Sequence, residues 1–526
     1  MLLVSSIKKI WDSKVFTTIF FSFFVIHGEM IFNKISWWDD IAGAFGPGPE
    51  FNAPLPHGRW FCTILARTFG FFFEWNQSLP VINAIIVAAC IALVSLVLFE
   101  MFEIQNKLYK ALMGLILLSF PAVAANLGYM GGSGFNFIGI LICIIAAYLT
   151  CDAIHNDFKL NPQYWMGSLL FACSLGEYQC YFSLYLSVCL LYCMSFVLQH
   201  SIPLRKFYRY FGYYVLNIFV GVVLYIIVLQ GFLWFENVKL LHYANTDTYG
   251  AISVYNYLER FYFSYNSFFY PHLLRYANMF PFQWNGWYRI LILLIVFLCA
   301  LYVVTNFQTE KRETRLQFYV LLVLVPCIFN FNIVIYGWVA YHALHVYHYS
   351  LLFLLPVILF RTIAINQHFR SHVIIRKAIK AAHIILIFCM FIFGCLFVRY
   401  DNYCYMLSEF RLSQAICYYT ALTARIMSVN NYKQEYPVAF VNENKKNSNA
   451  DKKQEEYDFP VINPYNTEFV NSYPVSSRAF MKYWCGYSPE FVNAKQYEKD
   501  DIVKSMPSYP DDGSIKIIDN VIVVKF

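Results

Sequence analysis

Charge is scarce in this chain: Asp, Glu, Lys and Arg supply 13% of its 526 residues, about half the share usual in soluble domains. With 59% hydrophobic and 20% aromatic residues, that shortage excludes a soluble globular fold and leaves a polytopic membrane protein. Cys-x-x-Cys spacing is absent although the chain has 15 cysteines. Most of them, such as Cys90, Cys143, Cys189, Cys299 and Cys389, lie inside apolar runs and read as small membrane-helix residues, not as a metal or disulfide framework. Cys404, Cys417 and Cys485 fall in a segment expected outside the membrane, where one disulfide is possible. No internal repeat is present, which weighs against a secondary transporter. No small-residue cleavage signal follows Lys8, Lys9, Lys14 and the apolar run to about Phe32, so the expectation there is an uncleaved signal anchor. The net charge of +7 sits in short clusters between hydrophobic spans, a pattern that sets topology and is not a nucleic-acid-binding stripe.

What is present is hydrophobic length. A span needs roughly 20 apolar residues, and about eleven segments qualify, near 15–32, 79–100, 109–126, 135–151, 164–177, 180–199, 211–234, 288–305, 317–337, 346–362 and 381–398. One set of connections carries 17 Lys and Arg, among them Lys107, Lys110, Arg205, Lys206, Arg209, Lys311, Arg312 and Arg315. The opposite set carries 6 in much longer loops, Lys34, Arg59, Arg67, Lys239, Arg260 and Arg275. The positive-inside rule therefore puts the N-terminus in the cytoplasm. The expected fold is an all-α polytopic membrane protein with a transmembrane domain over 1–400, an outer loop over 33–78, an interfacial helix over 401–430 and a small C-terminal α/β domain over 431–526. Within the last, Ile515–Val524 has the apolar–turn–apolar form of a hairpin.

The outer loop concentrates the chemistry. Trp37-Trp38-Asp39-Asp40 follows the first span, and Pro54-Leu55-Pro56-His57-Gly58-Arg59-Trp60 closes the return. Adjacent carboxylates there can hold a metal, act as a general base or be ordinary solvated loop residues. Two tryptophans, stiff prolines and the cationic donors His57 and Arg59 favour a carboxylate that deprotonates a sugar hydroxyl. Residues 58–75 are apolar but short, so a re-entrant or interfacial helix fits better than a span, and Arg59 and Arg67 on it could face a lipid phosphate. Glu177, Tyr178 and Gln179 lie between two undersized spans, where an acid is costly unless it has a function or a partner. His342, His345 and His348 step by three, which on an α-helix drifts around the axis. That spacing does not suit a zinc site, and interfacial contacts to phosphate or sugar are the functional alternative to plain boundary residues. No compact ligand set is visible, so no cofactor is expected, with a divalent cation left open.

Together, Trp37-Trp38-Asp39-Asp40, Gly58-Arg59-Trp60 and Ser174-Leu175-Gly176-Glu177-Tyr178-Gln179 resemble the serotype-converting O-antigen glucosyltransferases of enteric bacteria and their phages, over about residues 30 to 440. The resemblance implies a fold similar to the C-type glycosyltransferases in the bacterial inner membrane, with the C-terminal domain periplasmic. It also implies undecaprenyl-phosphate glucose as donor and lipid-linked O-antigen repeats as acceptor. Asp39 or Asp40 would take the acceptor proton, and Arg59, with Arg67 or His57, would stabilise the departing phosphate. A lipid-linked sugar flippase is the alternative, although it should spread charges over several helices.

Overall fold

The computed structural model describes residues 14–33, 54–73, 80–129, 132–155, 161–241, 254–270, 285–306, 312–336, 343–365, 373–443 and 474–526. In chain order its first helices are α1 (Lys14–Phe32), α2 (Trp60–Phe73), α3 (Pro80–Met101), α4 (Lys107–Ser119), α5 (Pro121–Leu127), α6 (Ser133–His155), α7 (Pro162–Glu177), α8 (Tyr181–Gln199) and α9 (Leu204–Phe235). They continue with α10 (Val254–Phe269), α11 (Asn285–Asn306), α12 (Arg312–Phe329), α13 (Phe331–Tyr336), α14 (Leu354–Ile365) and α15 (Val373–Met427). A 3-10 turn (Leu55–His57) precedes α2, and a 3-10 stretch (Ala343–Phe353) precedes α14. The chain divides into two compact units, a helical one through Asn402 and a second formed chiefly by Tyr403–Phe526.

The protein is a helical membrane protein. Among the described residues, 7 helices are long and apolar enough to cross a bilayer: α1, α3, α6, α8, α9, Leu344–Ile363 and Arg376–Met427. The bent pair α4 and α5 makes up to 8. The segment expected as one span over 109–126 is therefore broken, and the cause is local. Pro121 has no N–H and disfavours helical backbone at Phe120, which is extended. Carbonyls at the end of α4 are left over, and side chains from distant helices reach them. His27 Nε2 lies 3.0 Å from the Leu118 oxygen, and the Tyr347 hydroxyl donates to Leu117 at 3.2 Å. The segment expected over 317–337 also divides, at Asn330, into α12 and α13. Asn330 turns its amide to the Ser264 carbonyl at 2.9 Å and accepts from Tyr349 at 2.6 Å.

Lipid offers no hydrophobic drive between helices, so close backbone approach has to replace it. α7 lies against α6 and α9 through glycines. A β-carbon on Gly167 would fall 2.3 Å from the Thr150 hydroxyl, and one on Gly221 would fall 2.5 Å from the Phe171 ring. Buried polar ties cross the same interfaces. The Tyr185 hydroxyl contacts Thr150 at 2.9 Å and donates to Asn217 Oδ1 at 2.7 Å, while the Asn217 amide donates to the Tyr164 carbonyl at 3.0 Å. α7 starts cleanly because Asn161 caps Gln163 N–H and Pro162 occupies the first turn.

The stretch expected as an interfacial helix over 401–430 is helical up to Met427, the last residue of α15. No Gly or Pro stands between Cys395 and Met427 to stop it. In the second unit a three-stranded sheet has the order β1-β3-β2, from β1 (Val438–Val441), β2 (Ile515–Ile518) and β3 (Val521–Lys525). β1 runs parallel to β3, and β2 pairs with it antiparallel. Asp519 and Asn520, at φ 48° and 61°, make the two-residue turn of that hairpin. Tyr419, Leu422 and Ile426 of α15 pack with Val438, Phe440, Ile522 and Val524 on one face of the sheet. Val441, Val503, Met506 and Val523 cluster together nearby. Cys404, Cys417 and Cys485 are free thiols.

Asn217→Leu removes both ties of a fully buried amide, so the detergent-solubilised protein should lose about 1 to 2 kcal/mol of stability. Thermal unfolding beside Tyr185→Phe, which removes the hydroxyl alone, checks this, and equal midpoints for wild type and both variants would refute it.

Candidate active site

The sequence Pro54-Leu55-Pro56-His57-Gly58-Arg59 folds as a single tight turn. Gly58 at φ 77° closes it by donating its N–H to the Leu55 carbonyl at 2.8 Å, and Arg59 N–H reaches the Pro54 carbonyl at 3.1 Å. Two side chains pin the turn from outside. The Gln179 amide donates to the His57 carbonyl at 2.8 Å, and the Tyr225 hydroxyl donates to the Gly58 carbonyl at 3.0 Å; the two lie 3.1 Å apart. Leu241 N–H donates to the Pro56 carbonyl at 2.9 Å. Only glycine permits this clamp, because a β-carbon at residue 58 would stand 2.6 Å from the Gln179 amide nitrogen and 2.9 Å from the Tyr225 hydroxyl.

The clamp fixes the start of α2 and the residues around it. Trp60, the first residue of α2, is buried with Leu55, Leu229 and Leu233 and stacks on Phe232 with centroids 6.2 Å apart. Its indole lies over Gly176, where a β-carbon would come within 2.5 Å of the ring. Arg59 thereby reaches back to Tyr178, its guanidinium carbon 4.2 Å above the ring centroid. The Tyr178 hydroxyl is 2.6 Å from His345 Nε2, so the aromatic platform beneath the cation is itself fixed.

Glu177, the last residue of α7, is 1% exposed. Neither carboxylate oxygen meets a donor at hydrogen-bonding geometry among the described residues. The Cys62 thiol faces it, and Arg59 supplies the positive field around it. An unsolvated acid of this kind is expensive and needs its cation close by. Gly139 of α6 leaves the room it occupies, since a β-carbon there would meet Glu177 Cγ at 2.5 Å and the Tyr181 ring at 2.7 Å. His57 is half-buried, and burial first, then the neighbouring Arg59, hold its imidazole below the ordinary histidine range.

Of the residues expected from the sequence, His57, Arg59, Glu177, Tyr178, Gln179 and His345 are thus brought together. Arg67 goes elsewhere: it pairs with Glu236 at 2.7 Å on an exposed face of α2. Asp39, Asp40 and His342 lie outside the described residues. The expectation for the histidine run changes with its backbone. Ala343–Phe353 is a 3-10 helix, in which residues three apart eclipse instead of drifting. His348 is buried against the Phe329 carbonyl. Trp60, Cys62, Gly139, Gly176 and Tyr225 join this cluster only through the packing of distant helices. Tyr225 is the one hydroxyl between Ile218 and Leu229 in an otherwise apolar stretch of α9, and that isolation was its signal. Among the described residues, no three His, Cys, Asp or Glu side chains group as a metal site.

A sequence model of one protein family, described as glucosyl transferase GtrII, matches residues 28–360. No curated protein and no solved structure matches the chain.

The packing and the charge each carry an expected outcome. Gly176→Ala forces the Trp60 indole away and should cost about 1 to 3 kcal/mol of stability. Trp60→Leu in the same chain should recover part of the loss, and additive losses in thermal unfolding would count against the contact. For His57, the folded value lies below the unfolded one near 6.5. Above that value both states carry a neutral ring; as pH falls through it the unfolded chain takes the proton first, so stability drops until the folded value is passed. His57→Asn should therefore flatten the acid side of the stability curve as pH falls below about 6.5. Parallel curves for wild type and variant would exclude this role.

Proposed function

Because the chain belongs to the GtrII glucosyl transferase family, we propose that it moves a glucosyl group from undecaprenyl-phosphate glucose to O-antigen repeat units on a lipid carrier, at the periplasmic face of the bacterial inner membrane. The observation that carries this reading is the cluster of Arg59, Glu177 and Tyr178 beside the clamped turn, with the Asp39-Asp40 pair shortly before that turn in the chain. The proposal includes about eleven crossings: the seven long helices, the α4–α5 pair and the shorter α7, α11 and α12. That odd number, with a cytoplasmic N-terminus, leaves the C-terminal unit in the periplasm.

In the proposed reaction Asp39 or Asp40 accepts the proton of an acceptor hydroxyl as its oxygen bonds to the anomeric carbon of glucose. The bond from that carbon to the lipid phosphate breaks at the same time, and its electron pair leaves on the phosphate. The displacement inverts the anomeric centre. Arg59, held over the Tyr178 ring, faces the charge that grows on the leaving phosphate. Glu177 keeps Arg59 oriented, and His57 with its low proton affinity remains a neutral donor. Tyr178, Gln179, His345 and, outside the described residues, His342 complete the substrate contacts; Arg67 serves at most through the exposed face it shares with Glu236.

Mass spectrometry of the O-antigen repeat should show one added hexose per repeat in cells that hold this chain and the donor pathway. Asp39→Asn/Asp40→Asn should abolish the addition, and Arg59→Ala should lower the rate by about 10²- to 10³-fold with donor use affected more than acceptor use. An unchanged repeat mass with the protein inserted in the membrane would move the reading to a lipid-linked sugar flippase.

A further inference from the structure

The second unit holds a cavity of about 520 Å³, within the size of small-molecule sites, and none of its lining comes from the clamped turn. Its wall is aromatic: Phe440 of β1 and Phe491 meet edge to face with centroids 5.3 Å apart. Above Phe491 lies the guanidinium of Arg478, 4.9 Å from the ring centroid. Glu443 receives the Ser477 hydroxyl at 3.0 Å and lies 3.6 Å from an Arg478 terminal nitrogen. The Arg478 Nε is buried and donates to no acceptor among the described residues. Lys495 and Glu498 complete the charged part of the lining.

The charges of this lining cancel, two cations against two carboxylates, so it has no preference for a phosphate, a nucleotide or an anionic headgroup. Carboxylates accept, guanidinium and ammonium groups donate, and Phe440 and Phe491 give an apolar wall. That mixture matches a ring with an apolar side and alternating donor and acceptor hydroxyls. We propose that the cavity is a carbohydrate site that holds a neutral segment of the acceptor polysaccharide; this rests on the glucosyl-transfer reading for the identity of the glycan but not for the presence of the site.

The test uses the full chain in detergent and O-polysaccharide released from its lipid by mild acid, titrated calorimetrically. Saturable binding is expected, with no competition by inorganic phosphate. Ala494→Trp, which fills the cavity from its lining, and Arg478→Ala should each weaken binding about tenfold or more, whereas Asp39→Asn/Asp40→Asn should leave it intact. Glu498→Gln, an exposed change that cannot unfold the unit, should weaken it less. Absence of binding, competition by phosphate, or equal binding by wild type and the cavity variants would overturn the proposal. Binding without any hexose transfer would retain the cavity and sink the catalytic reading. Transfer with an acceptor KM unmoved by Ala494→Trp would do the reverse.

Discussion

The amide of Gln179 occupies the place where any β-carbon on residue 58 would have to go, and much of the candidate site depends on that contact. Gln179 lies in the link between α7 and α8, and its partner Tyr225 is well inside α9. Through two carbonyls of one turn these elements fix the path of the chain into α2. Trp60 is then placed over Gly176, Arg59 over Tyr178, and Tyr178 against His345. A glycine that admits left-handed backbone is thus also the socket for the clamp. The same economy appears at Gly139 and Gly176, whose missing side chains make room for Glu177 and Trp60.

The lipid setting explains the hydrogen bonds at the helix breaks. With no water to satisfy stray backbone groups, each break in a helix must find its partners within the protein. The break before Pro121 finds His27 and Tyr347, and at the division after α12 the Ser264 hydroxyl donates to the Asn330 carbonyl. Polar side chains inside apolar helices therefore mark irregular backbone as often as chemistry. His348 belongs to the first class, and the proposed function puts Glu177 in the second. The difference is that His348 has a backbone acceptor at the end of α12, whereas no backbone N–H donates to the Glu177 oxygens among the described residues, and they face only the Cys62 thiol and the field of Arg59.

The second unit follows other rules. Its sheet is buried around β1 and β3, and its hairpin closes through Asp519 and Asn520. Aromatic residues that would face lipid elsewhere here form a core, with Phe480 stacked on Trp484 at 4.7 Å and Phe440 against Phe526 at 5.2 Å. The cavity beside Phe491 is lined by two cations and two carboxylates, a balance that the apolar helices of the first unit do not offer.

Composition and hydrophobic length alone determined that this is a helical membrane chain, because only helices satisfy a backbone in lipid over so many apolar segments. The motif around His57, Gly58, Arg59 and the pair Glu177 and Gln179 was legible too, since polar groups beside apolar runs are costly enough to stand out. The partners were not legible. The Tyr225 hydroxyl and the Gly58 carbonyl it meets are 167 positions apart in the chain, and nothing in either segment names the other. The histidine spacing misled for a related reason: a step of three has opposite meanings on α and 3-10 backbones, and tertiary packing chose between them. The role of a glycine is the clearest case. Its identity is in the sequence, but what its missing side chain makes room for is decided only when distant helices close around it.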